Sequence, residues 1–237
     1  MIHEGAVSEL WRYPVKSFRG ERLDELVVDG RGVLGDRAFA VRDANGKFGS
    51  GKTTRRFRLL RGLLDFAART EDDGVVVEGR DGAVFRVGDP ALDALLSERY
   101  GEPLAVLPEG AVPHFDVGPV HLVTTSSLGW VADGYGGTAG DSRRYRPNLV
   151  LSVPEPGLLE EGRSGAVVAI GPCVLRVSGP AERCVMVNNA RDELAADPGV
   201  LRFLVERNGT NLGVYADVVE TGTVRVGDPV RVSLPGA

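Results

Sequence analysis

Short apolar stretches, each closed by a turn, recur along almost the whole of this 237-residue chain. The turns are built from glycine, proline and aspartate, and the chain carries 32 glycines and 14 prolines. Several stretches alternate between apolar and polar residues, as half-buried strands do. Many short strands with regularly spaced turns are typical of β-barrels. We therefore predict a mainly β protein with a few helices, arranged as two barrel-like domains.

The first half of the chain is predicted to consist of strands and hairpins followed by one helix. Strands are expected at residues 6–11, 23–28, 38–42, 75–78 and 83–87. The turn residues in 43–46 and 79–82 predict a hairpin at each place. Asp89 and Pro90 predict the start of a helix, which carries leucines at helical spacing and ends at Gly101.

Residues 107–118 contain proline and glycine and predict a boundary between a first domain, 1–108, and a second domain, 115–237. The second domain is predicted to hold strands at 121–124, 149–153, 167–177, 214–219, 223–226 and 230–232. Two helices are expected there, one at 126–132 and one that is capped by Asp197 and ends at Gly209.

Charge and cysteine content exclude several classes of partner. The formal net charge is -5, which disfavours binding to nucleic acid or to anionic lipid. No signal peptide is visible, and no apolar stretch is long enough to span a bilayer. The two cysteines form neither a disulfide framework nor a Cys-x-x-Cys motif. We expect a cytoplasmic protein with neither a nucleic-acid nor a membrane partner.

Cys184 is the first candidate for a functional residue. A thiolate is a soft, strongly electron-donating metal ligand, and the neighbouring Arg183 favours that form. Most free cysteines, however, are small buried hydrophobic residues. Cys173 fits that description, because it alternates with Leu175 and Val177 on one face of a predicted strand. For Cys184 the residue type alone leaves both interpretations open.

Residues 46–53 match the nucleotide-binding pattern G-x-x-x-x-G-K-[ST] at every fixed position. That pattern works between a buried parallel strand and a helix, whereas here it follows a hairpin turn and precedes Arg55, Arg56 and Arg58. The chain also lacks the repeated strand–helix alternation of nucleotide-binding α/β proteins. We interpret the segment as a basic loop, which still suits an anion.

Two short polar pairs lie in predicted turns at strand ends. Lys16-Ser17 and Asp36-Arg37 each combine backbone amides with a cationic side chain that could face one ligand. The alternatives are a solvated lysine and a surface ion pair.

Two further polar groups lie in the second half. Thr125 and Ser126 stand where a strand becomes a helix, which suits either an ordinary N-cap or the binding of phosphate or carbonyl oxygens. Arg146-Pro147-Asn148 precedes a strand; the proline fixes the backbone, and the asparagine amide suits the edge of a heterocycle. The alternative is a bend with a solvated arginine. The scattered histidines show no zinc-ligand spacing and are expected at the surface or in the core.

Taken in chain order, these segments resemble one family. The motifs are Tyr-Pro-Val-Lys-Ser at 13–17, Gly-x-x-Gly-Asp-Arg at 32–37, Arg-Pro-Asn at 146–148, Arg-Cys at 183–184 before an apolar run taken as a strand, and Gly-Thr-Val-Arg-Val-Gly-Asp-Pro-Val at 222–230. Together they resemble a MOSC domain, the C-terminal domain of molybdenum cofactor sulfurases, with its N-terminal β-barrel partner. The resemblance covers nearly the whole chain.

The resemblance implies two β-rich domains with a molybdenum cofactor, a molybdopterin that carries the metal, between them. Proteins similar to the mitochondrial amidoxime-reducing component bind the cofactor in this way. The matching positions assign three groups of residues to the cofactor. Lys16, Ser17 and Arg37 would hold its phosphate, and Thr125, Ser126, Arg146 and Asn148 would hold the pterin, with Arg183 beside them. Cys184 would be the catalytic residue and the ligand to molybdenum.

By this resemblance we expect an oxidoreductase that removes oxygen from N-hydroxylated small-molecule substrates. The alternative is a non-redox protein that binds the cofactor or carries sulfur as a Cys184 persulfide. Residues 188–191 depart from the Asp-Pro-containing loop of the reducing enzymes. The chain has no cysteines for an iron–sulfur domain, so electrons would come from a separate donor protein.

Overall fold

The structure is a computed structural model that describes residues 2–234, with side chains from residue 5 onward. The strands of the first half are β1 (Ile2–Arg12), β2 (Glu21–Leu23), β3 (Glu25–Asp29), β4 (Gly32–Val33), β5 (Phe39–Asp43), β6 (Phe48–Ser50), β7 (Phe57–Leu59), β8 (Ala67–Glu71), β9 (Gly74–Glu78), β10 (Val84–Arg86) and β11 (Leu104–Pro108). The strands of the second half are β12 (Val120–Thr124), β13 (Leu149–Ser152), β14 (Val167–Ile170), β15 (Cys173–Glu182), β16 (Asn211–Glu220), β17 (Gly222–Arg225) and β18 (Pro229–Ser233).

Three α-helices accompany these strands within residues 2–234: α1 (Pro90–Tyr100), α2 (Thr125–Tyr135) and α3 (Gly199–Asn208). Four short 3-10 helices lie at Leu63–Asp65, Gly137–Gly140, Ser142–Arg144 and Val185–Asn188. The prediction of a mainly β protein with few helices is confirmed.

Seven strands close into a barrel in the order β13-β12-β16-β15-β14-β18-β1, and β1 pairs back onto β13. Large apolar side chains fill its interior, because alternate residues of each strand point inward. Fully buried members include Leu10, Leu122, Leu149, Ile170 and Leu175. Cys173 belongs to this core and is completely buried, which confirms its predicted role as a small hydrophobic residue.

A second core lies in the first half of the chain. The sheets β11-β5-β6-β7 and β10-β9-β8 enclose it, and α1 covers it with Leu92 and Leu96. The predicted start of α1 is confirmed, because the Asp89 carboxylate accepts a hydrogen bond from the Ala91 amide. Gly101 ends the helix in the left-handed conformation.

The sheets cross the predicted domain boundary at residues 108–115. β1 belongs to the barrel of the second half, and β3 pairs with β17 to form a further sheet with β4. The division into domains 1–108 and 115–237 therefore describes the order of the chain but not the membership of the sheets, and it stays a prediction.

Three predicted elements differ from the structure. The single strand at 167–177 is a hairpin, because Gly171, with φ of 52°, turns the chain between β14 and β15. The helix expected at 126–132 runs from Thr125 to Tyr135. The apolar run after Cys184, expected to be a strand, is the 3-10 helix Val185–Asn188.

The start of α3 also differs. Asp197 was predicted as the N-cap, but the helix begins at Gly199 and Pro198 occupies the cap position. The Asp197 carboxylate still accepts a hydrogen bond from the Gly199 amide at 3.0 Å. The predicted end at Gly209, with φ of 53°, is confirmed.

The nucleotide-binding pattern at 46–53 lies in a β hairpin and the loop after it. β6 supplies its middle residues, and bends lead from there to β7 without a helix. The geometry that the pattern requires is therefore absent from this part of the described chain. Across residues 2–234, no helix has the length and apolar character needed to cross a bilayer.

Candidate functional site

A cationic cavity of about 70 Å³ lies between residues of the first and second halves of the chain. It contains seven of the nine residues predicted from the sequence as site residues: Lys16, Ser17, Arg37, Arg146, Asn148, Arg183 and Cys184. The remaining lining residues are Ser50, Phe115, Asp116, Gly118, His121, Tyr145, Met186 and Tyr215. The fold thus brings together side chains that are up to 199 positions apart in sequence, from Lys16 to Tyr215.

The segment after β1 delivers the first two of these residues. The Lys16 amide donates to the Phe39 carbonyl at 2.8 Å, which ties the segment to β5. The Ser17 hydroxyl donates to the Gly49 carbonyl at 3.1 Å, which ties it to β6. Ser50, in the middle of the nucleotide-binding pattern, therefore lines the cavity as well.

Three cavity residues have left-handed backbone conformations that non-glycine residues rarely adopt. The φ angles are 68° at Ser17, 50° at Arg37 and 56° at Arg146. Such residues cost free energy and cluster at binding sites, where the surrounding structure holds them in place. The left-handed turns therefore support a functional role for the cavity.

Lys16 is buried and has two hydrogen-bond partners. Its Nζ donates to the His114 carbonyl at 2.8 Å and to the Asp116 carboxylate. Burial lowers the pKa of Lys16 to about 8. Burial alone would raise the pKa of Asp116, but the charge and hydrogen bond of Lys16, with Lys52 and Arg37, bring it below its usual value.

Arg37 pairs with its neighbour Asp36 and stacks on an aromatic ring. Asp36 is fully buried, and its other carboxylate oxygen accepts from the Tyr13 amide at 2.8 Å. Burial would lower the pKa of Arg37, but Asp36 raises it above the usual value, so the guanidinium stays charged. The pair predicted as a possible surface ion pair is therefore buried at the cavity.

His121 connects two further cavity arginines. Its Nε2 lies 3.2 Å from Nη1 of Arg183, and its Nδ1 lies 3.3 Å from the carbonyl oxygen of Arg146. Burial first, and then the charge of Arg183, hold the pKa of His121 well below its usual value. The neutral ring therefore accepts from Arg183 at Nε2 and donates from Nδ1, which fixes the tautomer.

Cys184 is half-buried and lies on the wall of this cavity, just after β15. Its carbonyl accepts from the Val187 amide at 3.1 Å, which starts the 3-10 helix. The preceding Arg183 amide donates to the Thr210 carbonyl at 2.8 Å. The thiol thus combines access to the cavity with a backbone held on both sides.

Asn148 lies in the cavity wall, but its side-chain amide already forms hydrogen bonds with backbone groups. Its Oδ1 accepts from the His121 amide at 3.1 Å, and its Nδ2 donates to the Trp11 carbonyl at 3.3 Å. These bonds join β1 to β12, and they leave the amide one hydrogen and one lone pair for any ligand.

Thr125 and Ser126 do not line the cavity, in contrast to their prediction as cofactor-binding residues. Ser126 donates to the carbonyls of Val153 and Glu155, and Thr125 Oγ1 accepts from the Val153 amide at 3.4 Å. Thr125 and Ser126 lie outside the cavity because they follow the end of β12 that is far from it. His121 is near the start of β12, and Thr125 follows its end, roughly 13 Å further along at the usual rise per residue.

Sequence analysis missed several cavity residues. Asp116 lies in the segment taken as a linker, and His121 was expected to be an ordinary surface or core histidine. Tyr145 precedes the Arg-Pro-Asn motif directly, and Met186 follows Arg-Cys by two residues, so proximity to those motifs was a usable signal. Asp116 and Tyr215 carry no such local signal.

Comparison with known proteins identifies two domain families. The family described as "MOSC domain" matches residues 112–231, and the one described as "MOSC N-terminal beta barrel domain" matches residues 4–92. A search of curated proteins gives no match.

Several solved structures are similar to this chain at low sequence identity, and the first of them, with a TM-score above 0.5, shows the same fold. The YuaD protein of Bacillus subtilis is 13% identical, with 98% of this chain and 97% of that chain covered and a TM-score of 0.53. YiiM of Escherichia coli is 12% identical over 98% of this chain and 70% of that chain, with a TM-score of 0.44. YiiM of Geobacillus stearothermophilus is 16% identical over 72% of each chain, with a TM-score of 0.38.

Proposed function

Because the chain belongs to the MOSC domain family, which is associated with the molybdenum cofactor, we propose that the cationic cavity binds that cofactor and that Cys184 is the protein's ligand to molybdenum. We further propose that the loaded protein reduces N-hydroxylated substrates. The observation that carries the proposal is the convergence of four cationic side chains and the half-buried cysteine on one cavity.

The charges of the cavity fit an anionic ligand. Lys16 is paired with Asp116, and Arg37 with Asp36. Arg146 donates to the Phe18 carbonyl at 2.6 Å, and Arg183 donates to His121 and to the Tyr145 carbonyl, so the hydrogen-bond partners of both guanidinium groups are neutral. Two guanidinium charges thus remain without a carboxylate partner in the described residues.

One of those arginines also has an unused donor. Arg183 Nε is buried and has no hydrogen-bond partner within residues 2–234. Buried donors are nearly always paired in native proteins, so a missing acceptor is the expected complement. A phosphate or pterin oxygen supplies such an acceptor, and arginine suits phosphate because its planar fork makes two parallel bonds.

The cavity volume limits which part of the cofactor these residues hold. About 70 Å³ is less than half of the roughly 150 Å³ of a cavity that holds benzene, which suits a tetrahedral oxyanion better than a whole pterin. On the basis of the family motifs, we assign Lys16, Ser17 and Arg37 to the phosphate. Arg146, Arg183 and the remaining capacity of Asn148 are assigned to the adjoining part of the pterin.

When bound, the cofactor supplies a molybdenum centre that exchanges two electrons with the substrate. In the net reaction the N–O bond breaks, an N–H bond forms, and the oxygen leaves as water. This consumes two electrons and two protons, and the electrons come from a separate donor protein. The chain's residues bind the anionic end of the cofactor and orient the Cys184 thiolate, a soft ligand that helps to set the metal's potential.

A second function uses the same cysteine without redox turnover. Cys184 is accessible and borders a cationic cavity, which also suits a persulfide carrier or a protein that only retains the cofactor. Metal analysis of protein made in a cofactor-producing host separates the two functions. Molybdenum near one per chain with turnover supports the reductase, and sulfane sulfur or pterin without turnover supports the alternative.

The two cysteines provide a matched pair of variants. We expect Cys184→Ser to abolish reduction of an N-hydroxylated probe while the thermal midpoint is unchanged, because a hydroxyl is a far weaker ligand than a thiolate. Cys173→Ser places a hydroxyl in the barrel core, so we expect a lower thermal midpoint with most activity retained. The reverse ranking of activities would contradict the assignment of Cys184.

A further inference from the structure

A group of basic side chains packs around two buried aromatic rings beside the cationic cavity. The Nζ atoms of Lys16 and Lys52 lie 5.0 and 4.9 Å from the centroid of the Phe57 ring. The guanidinium carbon of Arg56 lies 5.5 Å from that centroid and 5.2 Å from the centroid of the Phe48 ring. Lys16 lines the cavity, whereas the Lys52 side chain is 32% exposed, so positive charge extends from the cavity toward solvent.

This basic group carries more positive than negative charge. Arg42 joins it, 5.0 Å from the Phe48 centroid. Within residues 2–234, Asp116 is the one carboxylate paired with any of the four basic residues. Arg56 donates to a backbone carbonyl, and Arg42 donates to a second carbonyl and contacts His114. Burial lowers the pKa of His114 to about 4, so that ring is neutral at pH 7. The two guanidinium charges are therefore not balanced by a carboxylate.

Both guanidinium groups also have an unused donor. The Nε atoms of Arg42 and Arg56 are buried and have no hydrogen-bond partner in the described part of the chain. Buried donors are nearly always paired in native proteins. The unused donors and the excess charge both indicate that an anion completes this group.

Asp116 connects the cavity to the basic group. One of its carboxylate oxygens accepts from Lys16 Nζ, and the other lies 3.9 Å from Lys52 Nζ. The residue lies between β11 and β12, and its side chain is 36% exposed. One anionic group with two oxygen ends thus already bridges the two ammonium groups. A ligand with two linked anionic groups can replace it at both, because the carboxylate is free to turn toward solvent.

The segment that carries Lys52 is the one that matches the nucleotide-binding pattern. It continues into bends and β7 rather than into a helix, so it cannot surround a phosphate chain as that pattern does. Ser50 nevertheless lines the cavity, and Lys52 follows just outside it. The lysine of the pattern therefore lies where it can contact an anion that extends out of the cavity.

We propose that Lys52 and Arg56 form a second anion site beside the cavity, so that the protein binds a ligand whose anionic end carries two linked phosphates. The first phosphate lies in the cavity with Ser17 and Arg37, and this half rests on the proposed function. The second phosphate lies against Lys52 and Arg56, with Lys16 between the two. Lysine supplies a mobile charge there, and arginine supplies a planar pair of donors.

Calorimetric titrations of cofactor-free protein with sulfate and with pyrophosphate test this at pH 7 and constant ionic strength. Sulfate has one tetrahedral group and fills only the cavity, whereas pyrophosphate has two. Lys52→Met removes the charge and keeps an apolar stem against Phe57, so the fold is retained. We expect pyrophosphate to bind at least about fivefold more weakly to this variant, since hydrogen bonds to charged groups are the strong ones. Sulfate affinity should stay within about twofold of wild type.

Arg58 provides a control of equal charge in the same basic segment. Its guanidinium is already paired with Glu102 through two hydrogen bonds of 2.9 Å. Arg58→Met should therefore leave both affinities within about twofold of wild type. The proposal is overturned if Lys52→Met weakens sulfate and pyrophosphate binding equally, if it weakens neither, or if Arg58→Met has the same effect on pyrophosphate.

The loaded protein shows where the second phosphate comes from. Two phosphates per pterin in cofactor released by denaturation assign the second site to the cofactor itself. One phosphate per pterin, with pyrophosphate displacing the cofactor, assigns it to a separate diphosphate-bearing molecule. Protein without molybdenum from a cofactor-producing host would refute the proposed function alone, because the comparison of Lys52→Met with Arg58→Met needs no cofactor and still decides this inference.

Discussion

The guanidinium carbon of Arg146 lies 4.1 Å from the centroid of the Tyr13 ring. Arg37 lies 4.9 Å from the same centroid, so one buried ring contacts two cationic residues of the cavity. The ring is also confined, because a Cβ on Gly20 would lie 2.5 Å from its Cδ1. Tyr13 does not line the cavity, but it positions the two arginines that do.

Substitution of Tyr13 should separate the role of the ring from that of its hydroxyl. Tyr13→Phe keeps the ring and removes a buried hydroxyl that has no partner in the described chain, so sulfate affinity should stay within twofold. Tyr13→Leu removes two cation–π contacts worth about 0.5–2 kcal/mol each, so we expect roughly tenfold weaker binding. Calorimetric titration with sulfate measures both. Equal affinities for the Leu and Phe variants would show that the ring does not position the arginines.

Anion binding should weaken above pH 8 because of Lys16. Burial lowers its pKa from 10.5 to about 8, so the side chain is charged below that pH and loses its charge above it. Sulfate keeps a double negative charge throughout, and its dissociation constant should therefore rise between pH 7 and pH 9. In Lys16→Met the affinity should be lower and independent of pH over this range. A wild-type sulfate affinity that stays constant up to pH 9 would contradict the lowered pKa of Lys16.

The lowered pKa of Lys16 also makes the free energy of unfolding depend on pH. Between about pH 8 and 10.5 the unfolded chain binds more protons at Lys16 than the folded chain does. The contribution of this residue to the free energy of unfolding therefore increases with pH across that interval. Urea unfolding of the wild type and of Lys16→Met at pH 7.5 and 10 measures the difference, and equal pH dependence in both proteins would exclude the effect.

Arg37 should control cofactor content although it is not assigned to the metal. Arg37→Ala removes the proposed phosphate contact and leaves Asp36 buried without its partner, so molybdenum and pterin should fall together. Arg37→Lys should restore only part of the content, because an ammonium cannot make the bidentate contact. The exposed Arg22 provides the control variant Arg22→Ala, which should keep full occupancy. Unchanged occupancy in Arg37→Ala would contradict the phosphate assignment.

Gly51 and Met186 should be energetically coupled. Gly51→Ala places a methyl group against the Met186 sulfur, and the flexible side chain should move away at a cost below about 1 kcal/mol. The Met186 methyl resonance should shift, and in Met186→Ala the same glycine substitution should cost nothing. A double-mutant cycle from urea unfolding measures this coupling. Gly110→Ala is the control, since a Cβ there meets nothing within 4 Å. Additive effects at 51 and 186 would show that the two residues do not touch.

Much of the fold followed from local sequence. Turn residues predicted the hairpin at β9 and β10, and Asp89, Pro90 and Gly101 predicted both ends of α1, because capping and turn formation depend on neighbouring residues. The pattern at 46–53 was correctly distinguished from a nucleotide-binding loop, since its requirement for a helix is also local, but residues 48–50 form β6 rather than part of the predicted loop. The hairpin at Gly171 was missed although Gly171-Pro172 is a turn-forming dipeptide, because the apolar residues on both sides of it were interpreted as one continuous strand.

The sequence by itself identified Cys184, the motifs that contain Arg37 and Arg146, and the Lys16-Ser17 turn as candidate site residues. The order of these motifs along the chain indicated the family. Only the tertiary structure decided that Lys16 and Cys184 border one cavity, that Asp116 and His121 join them, and that Thr125 does not. The physical reason is closure of the barrel. β1 pairs with both β13 and β18, so the segment after it is brought beside the end of β15, and pairings between distant strands leave no mark in local sequence.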